Sequence, residues 1–359
     1  MKSIPVAKPL VGRDDIRAVV KVMKSGGLAQ GPQVGRFEKE FSNFVGGREC
    51  VAVNSGTSGL HVALLSLGVG PGDEVIVPSF TFAATANSVA LTGGTPVFVD
   101  IDASTYNIDP KLIEAAITPR TKAIQVVHLY GLPADMPPII EIAKRHNLLI
   151  IEDAAQAHLA AIEGNPVGTF GDAAVFSFYP TKNMTSGEGG MVVFAQPEPA
   201  RLARLLRNQG MEQRYQNEVV GFNLRMTDIH AAIGISQLAK VKNWTTKRQE
   251  NADYLNLKIE SAVTPITPMG FEHVYHQYTI RIKKHRDAFS KKLTELGIGN
   301  SVYYPTQVHK LPSFRRSIDL VNTQSATEQV LSLPIHPSLS KRDLKRIASA
   351  VNQIGHELN

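Results

Sequence analysis

Lys182 is the residue whose position in the sequence best suits covalent chemistry. It stands between two small polar residues, Thr181 and Asn183, after the apolar run 173–178 and before the glycine-rich turn 187–190. A lysine amine in such a loop is a candidate nucleophile that forms an imine with a carbonyl group. Taken alone, it is explained more simply as a solvated surface residue, so the neighbouring motifs must decide between the two interpretations.

Segment 54–59, Asn-Ser-Gly-Thr-Ser-Gly, has the composition of a phosphate-binding turn. It lies between a predicted strand and a predicted helix, where small residues let the backbone approach a ligand closely. Free N–H groups at the helix N-terminus, with the hydroxyls of Thr57 and Ser58, could hold a phosphate. An ordinary Ser/Thr-capped helix has the same composition and stays an alternative.

Glu152 and Asp153 come directly after the apolar run 148–151. A carboxylate at the end of a buried strand costs desolvation free energy unless a cation or a hydrogen-bond donor meets it. We therefore expect a positively charged group to face one of these two acids. The alternative is that one of them is a helix N-cap with no role in binding.

Phe80 and Phe82 follow the predicted strand 74–77, and such a ring could stack on a flat cofactor or belong to the hydrophobic core. The phosphate-binding turn, the buried acid and the loop lysine, all at strand ends, match what pyridoxal phosphate (PLP) requires. Its phosphate needs amides and hydroxyls, its pyridinium nitrogen needs an anion, and its aldehyde needs an amine. The combination predicts PLP as the cofactor.

The elements between these motifs must bring them together. Val- and Ile-rich runs at 50–53, 74–77, 96–99, 123–127, 148–151, 173–178 and 191–194 alternate with helical patterns at 58–67, 81–91, 110–116 and 137–146. An amphipathic helix around 16–23, stopped by Gly26, precedes them. This alternation predicts an α/β fold with a mostly parallel sheet covered by helices on both faces. Ligands bind at the carboxyl ends of strands in such a sheet, where the motifs lie.

The pattern changes after about residue 240. A long helix is predicted at 239–260, followed by a strand at 275–282, a helix at 286–296, further short strands and a closing helix at 341–354. We expect a large α/β domain over residues 1–245 and a smaller C-terminal α+β domain over residues 246–359.

Composition excludes several classes of function. The chain has 359 residues, of which 43% are hydrophobic, and its net charge of +6 is not concentrated in any run, so we expect no nucleic-acid partner. Apolar runs of strand length and an N-terminus without a signal peptide predict no membrane association and a cytoplasmic protein. The single cysteine, Cys50, excludes an intramolecular disulfide and a multi-cysteine metal site, and we expect no bound metal.

Seven motifs resemble, in order and spacing, the sugar aminotransferases of the DegT/DnrJ/StrS family, which are PLP enzymes of the aspartate-aminotransferase fold (fold type I). The motifs are Gly31-Pro32-Gln33-Val34 with Phe37-Glu38, Asn54-Ser55-Gly56-Thr57, Pro78-Ser79-Phe80-Thr81-Phe82, Glu152-Asp153-Ala154-Ala155-Gln156-Ala157-His158, Ser177-Phe178-Tyr179-Pro180-Thr181-Lys182-Asn183, Gly221-Phe222-Asn223-Leu224-Arg225-Met226-Thr227 and Leu333-Pro334-Ile335-His336-Pro337. Each is a modest signal, but together they are highly specific and run nearly end to end.

The resemblance implies a role for each matching residue. It assigns Lys182 to catalysis and to the cofactor's aldehyde, Asp153 to the pyridinium nitrogen, Gln156 to the ring's phenolate oxygen, Phe82 to stacking on the ring, Gly56, Thr57, Ser58 and Ser177 to the phosphate, and Asn223 to the phosphate of the cofactor in the neighbouring subunit. The last assignment implies a homodimer with shared active sites. A looser match makes Tyr304 and His309 expected substrate contacts.

The family resemblance implies transfer of an amino group from L-glutamate to the keto group of a nucleotide-linked keto-deoxysugar, in aminosugar biosynthesis. A cyclitol or another non-nucleotide ketone stays open as the acceptor, because Leu159 and Gln209 replace residues that are usually glycine and often histidine in the family. A related sugar dehydratase would have histidine in place of Lys182, and a non-catalytic sensor would not need this amine. Lys182 therefore disfavours both of these readings.

Overall fold

A seven-stranded sheet forms the centre of the chain in the computed structural model, which describes residues 3–358. The strands are β1 (Glu49–Val53), β2 (Glu74–Pro78), β3 (Thr95–Val99), β4 (Thr121–Val127), β5 (Leu149–Asp153), β6 (Ala161–Ile162), β7 (Asn165–Pro166), β8 (Ala173–Ser177), β9 (Gly190–Phe194), β10 (Phe271–Glu272), β11 (Tyr278–Arg281) and β12 (Val330–Leu333). The central sheet has the order β1-β9-β8-β5-β4-β2-β3. Two small sheets, β10-β6-β7 and β11-β12, lie outside it.

Helices pack around these sheets. They are α1 (Arg13–Ser25), α2 (Pro32–Ser42), α3 (Gly56–Ser66), α4 (Ala84–Leu91), α5 (Pro110–Ile113), α6 (Met136–His146), α7 (Pro197–Arg207), α8 (Asp228–Lys258), α9 (Arg286–Glu295), α10 (Val321–Gln329) and α11 (Lys341–Leu358). As predicted, the amphipathic pattern near the start forms a helix, α1, which ends where Gly26 adopts the left-handed conformation with a φ of 73°. None of the helices within residues 3–358 is both long and apolar enough to cross a membrane.

The central strands are apolar because both faces of the sheet are covered. β2, β8 and β9 are buried at every position. The pairs β2–β3, β2–β4, β4–β5 and β5–β8 are parallel, whereas β9 runs antiparallel to both β8 and β1. The predicted α/β class with a mostly parallel sheet is confirmed. Because β9 runs antiparallel to both of its neighbours, β1 and β8 run in the same direction, and β5 is parallel to β8. The carboxyl ends of β1, β5 and β8 therefore lie on the same side of the sheet.

The start of α8 differs from the prediction. The helix begins at Asp228 rather than at 239, because Thr227 caps it and accepts a hydrogen bond from the His230 N–H. The carboxylate of Asp228 in turn accepts hydrogen bonds from the N–H groups of Gly31 and Val34 at the start of α2. A Cβ at Gly31 would lie 2.8 Å from Asp228 Oδ2, so this contact explains the glycine of the first motif.

A second hydrophobic core forms around the sheet β11-β12. Tyr278, Phe289, Leu331 and Ile347 are buried in it, together with Leu255 from the C-terminal part of α8. The N-terminal part of α8 instead packs in a core of the large sheet through residues such as Leu238 and Val241. The division expected at residues 245 and 246 therefore falls inside α8, which contributes to both cores.

Three helices, α2, α7 and α10, were not predicted from the sequence. The start of α10 is held by Asp100, which lies just after β3. Its carboxylate accepts hydrogen bonds from the N–H groups of Asn322 (2.9 Å) and Thr323 (2.8 Å). Nothing in the sequence around α10 reveals this long-range cap, which links the large sheet to the C-terminal region.

Candidate active site

One cleft collects most of the predicted site residues. It opens where β1, β5 and β8 end, and its volume is about 490 Å³. The predicted residues that line it are Gly56, Thr57, Phe82, Asp153, Gln156, Ser177, Lys182 and Tyr304. The structure thus brings together residues that are far apart in the sequence, as the shared direction of the three strands requires.

Lys182 lies in the turn that follows β8, and hydrogen bonds on both sides fix this turn. Its own N–H donates to the Tyr179 carbonyl (3.0 Å), and the neighbouring Asn183 side chain donates to the Val274 carbonyl (2.9 Å). Burial lowers the pKa of the Lys182 amine to about 8, although the nearby Asp153 carboxylate acts in the opposite direction. With that pKa, roughly a tenth of the amine is uncharged at neutral pH, and the uncharged form is the nucleophile.

Asp153 is the last residue of β5, and 6% of its surface is exposed. Its Oδ2 accepts a hydrogen bond from the Thr85 hydroxyl (2.8 Å), and its Oδ1 accepts one from the Ala155 N–H (3.2 Å). Burial raises the pKa of Asp153 above its ordinary value, and these two donors and Lys182 offset the rise only in part. The cleft therefore holds a buried carboxylate that lacks a full counter-charge.

The neighbouring acid, Glu152, is fully satisfied and points away from the cleft. It accepts hydrogen bonds from His128 Nε2 (3.0 Å) and from the N–H groups of Gly168 (2.8 Å), Phe170 (2.9 Å) and Gly171 (2.8 Å). His128 Nδ1 accepts from the Ala134 N–H, so its proton is on Nε2. The His128 ring therefore pairs with Glu152 and not with Asp153. Glu152 in turn holds the backbone of residues 168–171, before β8, in place.

The start of α3 and the end of β8 lie together on one wall of the cleft. By helix geometry, the N–H groups of Gly56 and Thr57 have no acceptor within α3. A Cβ at Gly56 would lie 2.9 Å from the Cβ of Ser177, so only glycine allows this approach of helix to strand. Two backbone N–H groups and the hydroxyls of Thr57 and Ser177 thus meet in a space that suits a phosphate.

Gln156 and Phe82 lie on other walls of the cleft. The Tyr130 N–H donates to Gln156 Oε1 (2.7 Å), and Gln156 Nε2 donates to the Tyr304 hydroxyl (3.0 Å), which fixes the amide. The Phe82 ring is 57% exposed, and its centroid lies 6.0 Å from that of Tyr304. A large apolar ring left exposed on a cleft wall offers a face to a flat ligand.

Two of the expected contacts do not line this cleft. The Ser58 N–H donates to the Ser55 side chain (3.1 Å), and the Ser58 hydroxyl pairs with the same group (2.9 Å). His309 is fully buried outside the cleft, where Nδ1 pairs with the Ser79 hydroxyl (2.6 Å) and Nε2 with the Ile318 carbonyl (3.1 Å). The roles expected for both residues stay predictions.

Asn223 is exposed on the segment between α7 and α8 and does not line the cleft of its own chain. Its backbone forms an isolated bridge with Asn208. Its expected contact, with the cofactor of a neighbouring subunit, involves a chain outside this structure and stays a prediction.

The cleft lining also includes three polar residues outside every motif that the sequence singled out, His276, Gln277 and Tyr303. His276 is buried, and its Nδ1 has no hydrogen-bond partner among the described residues. The polar pair His276-Gln277 between Tyr275 and Tyr278 was the available signal, since polar side chains in an aromatic run often face a site. Tyr303 carried no such signal apart from its neighbour Tyr304.

The residues of the cleft fit PLP. Asp153 is a buried anion in need of a cation, Lys182 is an amine of lowered pKa, and the start of α3 at Gly56 offers N–H groups to a phosphate. These are the three kinds of partner that this cofactor requires. The profile of the DegT/DnrJ/EryC1/StrS aminotransferase family matches residues 9–352.

The chain belongs to this family. Two relatives are similar over almost their whole length: the GDP-perosamine synthase of Caulobacter vibrioides, 41% identical over 98% of this chain and 98% of that protein, and the UDP-N-acetyl-3-dehydro-alpha-D-glucosamine 3-aminotransferase of Acidithiobacillus ferrooxidans, 41% identical over 96% and 95%. The solved structure of NtdA from Bacillus subtilis, with the bound cofactor PMP, superposes with a TM-score of 0.91 at 31% identity and covers 99% of this chain and 86% of that one.

These similarities confirm three of the expectations drawn from the sequence. The family is the one that the motifs resemble, the protein is an aminotransferase, and the cofactor of this family is PLP.

Proposed function

We propose that this protein transfers the amino group of L-glutamate to the keto group of a nucleotide-linked keto-deoxysugar. The observation that carries the proposal is the meeting of Lys182, Asp153 and the start of α3 in one cleft of about 490 Å³. Two relatives that are 41% identical are named for nucleotide-linked sugars, one carrying GDP and the other UDP. These names support a nucleotide-linked acceptor, and the cleft chemistry supports amino transfer.

In this proposal the cofactor, when bound, would supply an aldehyde that takes up amino groups and a ring that withdraws electrons from the carbon next to nitrogen. Asp153 would hold the ring nitrogen and keep it protonated. Lys182 would carry a proton to and from the reacting carbon, and its lowered pKa suits it to both directions. The turn hydrogen bonds of Lys182 keep its amine at the reacting centre.

The remaining lining residues bind and orient. The N–H groups of Gly56 and Thr57 would hold the phosphate, with the hydroxyls of Thr57 and Ser177. Gln156, fixed by the Tyr130 N–H, would present its amide to the ring's phenolate oxygen. Phe82 would cover one face of the ring, and Tyr304, beside Phe82 on the cleft wall, would contact the acceptor.

We propose further that two copies of the chain share their active sites, with Asn223 reaching the cofactor phosphate of its neighbour. The charged residues that line the cleft within the described chain are Asp153, Lys182 and Glu188, which sum to one negative charge. Cofactor, donor and acceptor are all anionic, so a second chain that brings donors and cations would balance them. On one face of α1, Ile16 is 57% exposed, Val20 42% and Met23 60%, and this apolar surface could be covered in a dimer.

The reaction can be tested in two steps. The purified protein loaded with PLP is mixed with L-glutamate, and the absorption of the cofactor should change to that of its amino form while 2-oxoglutarate appears. Protein without PLP serves as the control. A cofactor spectrum that does not respond to glutamate would contradict the proposed donor.

The acceptor is tested with a panel of GDP-, UDP- and dTDP-linked keto sugars, each paired with the same keto sugar lacking its nucleotide. NMR of the product locates the new amine. We expect turnover only with nucleotide-linked members of the panel. Equal turnover of the free ketones would favour the alternative acceptor, a cyclitol or another non-nucleotide ketone.

A further inference from the structure

Thr85 is a fully buried residue in the first turn of α4 that contacts Asp153 without lining the cleft. Its hydroxyl lies 2.8 Å from Asp153 Oδ2. We propose that Thr85 is a positioning residue for the cofactor: a chain of two hydroxyls, from Thr81 through Thr85, keeps Asp153 ionised and turned towards the ring nitrogen. This inference rests on the role proposed above for Asp153.

The direction of the chain follows from the number of protons. A threonine hydroxyl has one proton, and the ionised Asp153 can only accept, so Thr85 donates to the carboxylate. The Thr81 and Thr85 hydroxyl oxygens are 2.9 Å apart, and Thr85 has no second proton to give. Thr81 is therefore the donor of that bond, and its oxygen, on the cleft wall, is left as an acceptor.

The backbone at Thr85 is held as firmly as its side chain. Its carbonyl accepts hydrogen bonds from Gln125 Nε2 (2.9 Å), in β4, and from the Ser88 hydroxyl (2.9 Å), one turn further along α4. Gln125 and Ser88 are both fully buried. The start of α4 is thus fixed to the sheet, and the Thr85 hydroxyl cannot turn away from Asp153 without breaking buried hydrogen bonds.

The Thr85 hydroxyl orients the Asp153 carboxylate, which the charged and titratable groups around it do not do. Lys182, in the turn after β8, and His128, just after β4, act electrostatically on the carboxylate, and the carboxylate acts in the same way on Tyr304 from the C-terminal region. The residues of α4 (ATANSVAL) include no titratable side chain. Each oxygen of Asp153 has one donor, Thr85 or Ala155, so the plane of the carboxylate is set while both oxygens keep lone pairs for the cofactor.

The experiment compares three substitutions with one matched control. Thr85→Val removes the hydroxyl and keeps the shape, Thr85→Ser restores the hydroxyl, and Thr81→Val removes the first member of the chain. Thr92→Val is the control, since it removes a buried threonine hydroxyl at the C-terminal end of α4 that bonds to the Val89 carbonyl and to neither Thr85 nor Asp153. The measurements are the dissociation constant for PLP and the pH at which the ring nitrogen of bound, ¹⁵N-labelled PLP loses its proton.

For Thr85→Val we expect PLP binding about tenfold weaker or more, which is the usual effect of losing a hydrogen bond to a charged group. The ring nitrogen should also lose its proton at lower pH. Thr81→Val should show a smaller shift in the same direction, while Thr85→Ser and Thr92→Val should stay close to the unmodified protein. A folded Thr85→Val protein with unchanged nitrogen titration would overturn the inference, as would a Thr92→Val protein equally altered.

An Asp153→Asn variant separates this inference from the proposed function. If Asp153→Asn leaves the nitrogen titration unchanged, the role of Asp153 is wrong and the inference falls with it. If Asp153→Asn abolishes nitrogen protonation but Thr85→Val does not alter it, the proposed function stands and the inference about Thr85 alone is wrong.

Discussion

Glu152 and Asp153 are neighbours in β5, both are buried, and their side chains lie on opposite faces of the sheet. Glu152, on the interior side, accepts four hydrogen bonds, and these lower its pKa below the ordinary value although burial alone would raise it. Asp153, on the cleft side, accepts two, and burial leaves its pKa raised. A buried acid with all its donors in place is structural, whereas one left short of donors is prepared for a ligand.

The largest effect that we predict from this comparison is at Lys182, which lies near Asp153 in the cleft. Lys182→Ala should lower amino transfer by about a thousandfold or more, since the nucleophile and proton carrier is lost. The thermal stability of the Lys182→Ala variant should not fall, because the removed ammonium group was desolvated in the cleft. Single-turnover rates with glutamate, beside a melting curve, check both parts. Near-normal turnover would show that another amine does this work.

Asp153→Asn tests the cleft-side acid itself. We expect turnover to fall by about a hundredfold, which corresponds to the loss of one strong charged interaction in the transition state. Stability of the protein without cofactor should stay equal or rise, because an uncompensated buried charge is removed. Kinetics and urea unfolding of the same preparation give the two values. A large loss of stability would mean that Asp153 is a structural acid like its neighbour.

Glu152→Gln tests the interior side and should give the reverse result. Removing the charge weakens the bonds from His128 and three backbone N–H groups, and we expect a loss of about 3 kcal/mol in the free energy of unfolding. Because its folded pKa is lowered, Glu152 stabilises the protein above the ordinary carboxyl pKa of 4.5, and this contribution is lost as the pH falls through the folded pKa. The variant should therefore lose stability at neutral pH and less in acid. Urea unfolding at several pH values measures this.

The smallest effect concerns the pH dependence of cofactor uptake. The uncharged Lys182 amine reacts with PLP, so the uptake rate should rise with pH and level off above about 8. Asp153→Asn should move this midpoint downwards, since the carboxylate charge raises the pKa of Lys182, whereas Glu152→Gln should leave it in place. Stopped-flow absorbance of cofactor-free protein gives the midpoints. Equal shifts in both variants would remove the distinction between the two acids.

The sequence predicted those parts of the molecule that depend on local pattern. Apolar runs predicted the strands of the large sheet, Gly26 the end of α1, and the order of the motifs the family and the cofactor. The contrast between Glu152 and Asp153 was out of reach, because the partners of Glu152 come from residues 128 and 168–171, which only the folded chain brings near. The same holds for Thr85, whose contact with Asp153 spans 68 residues.

Two differences between the sequence pattern and the structure have a similar origin. His309 matched a motif loosely, but whether a histidine faces a cleft depends on its fold neighbours, here Ser79 and Ile318. The early start of α8 rests on a threonine cap and on the distant α2, which hydrophobic spacing does not record. Sequence patterns thus predicted which elements exist better than they predicted how side chains are shared between them.

The 31-residue helix α8 adds a mechanical consequence. At a rise of 1.5 Å per residue it is about 46 Å long, and it is anchored in the core of the large sheet at one end and in the core around β11 and β12 at the other. A continuous helix that packs in two cores transmits a rotation of one core to the other and resists bending at its middle. Any opening of the cleft by the C-terminal region would bend α8, and the stiffness of this helix would set how wide the entrance becomes.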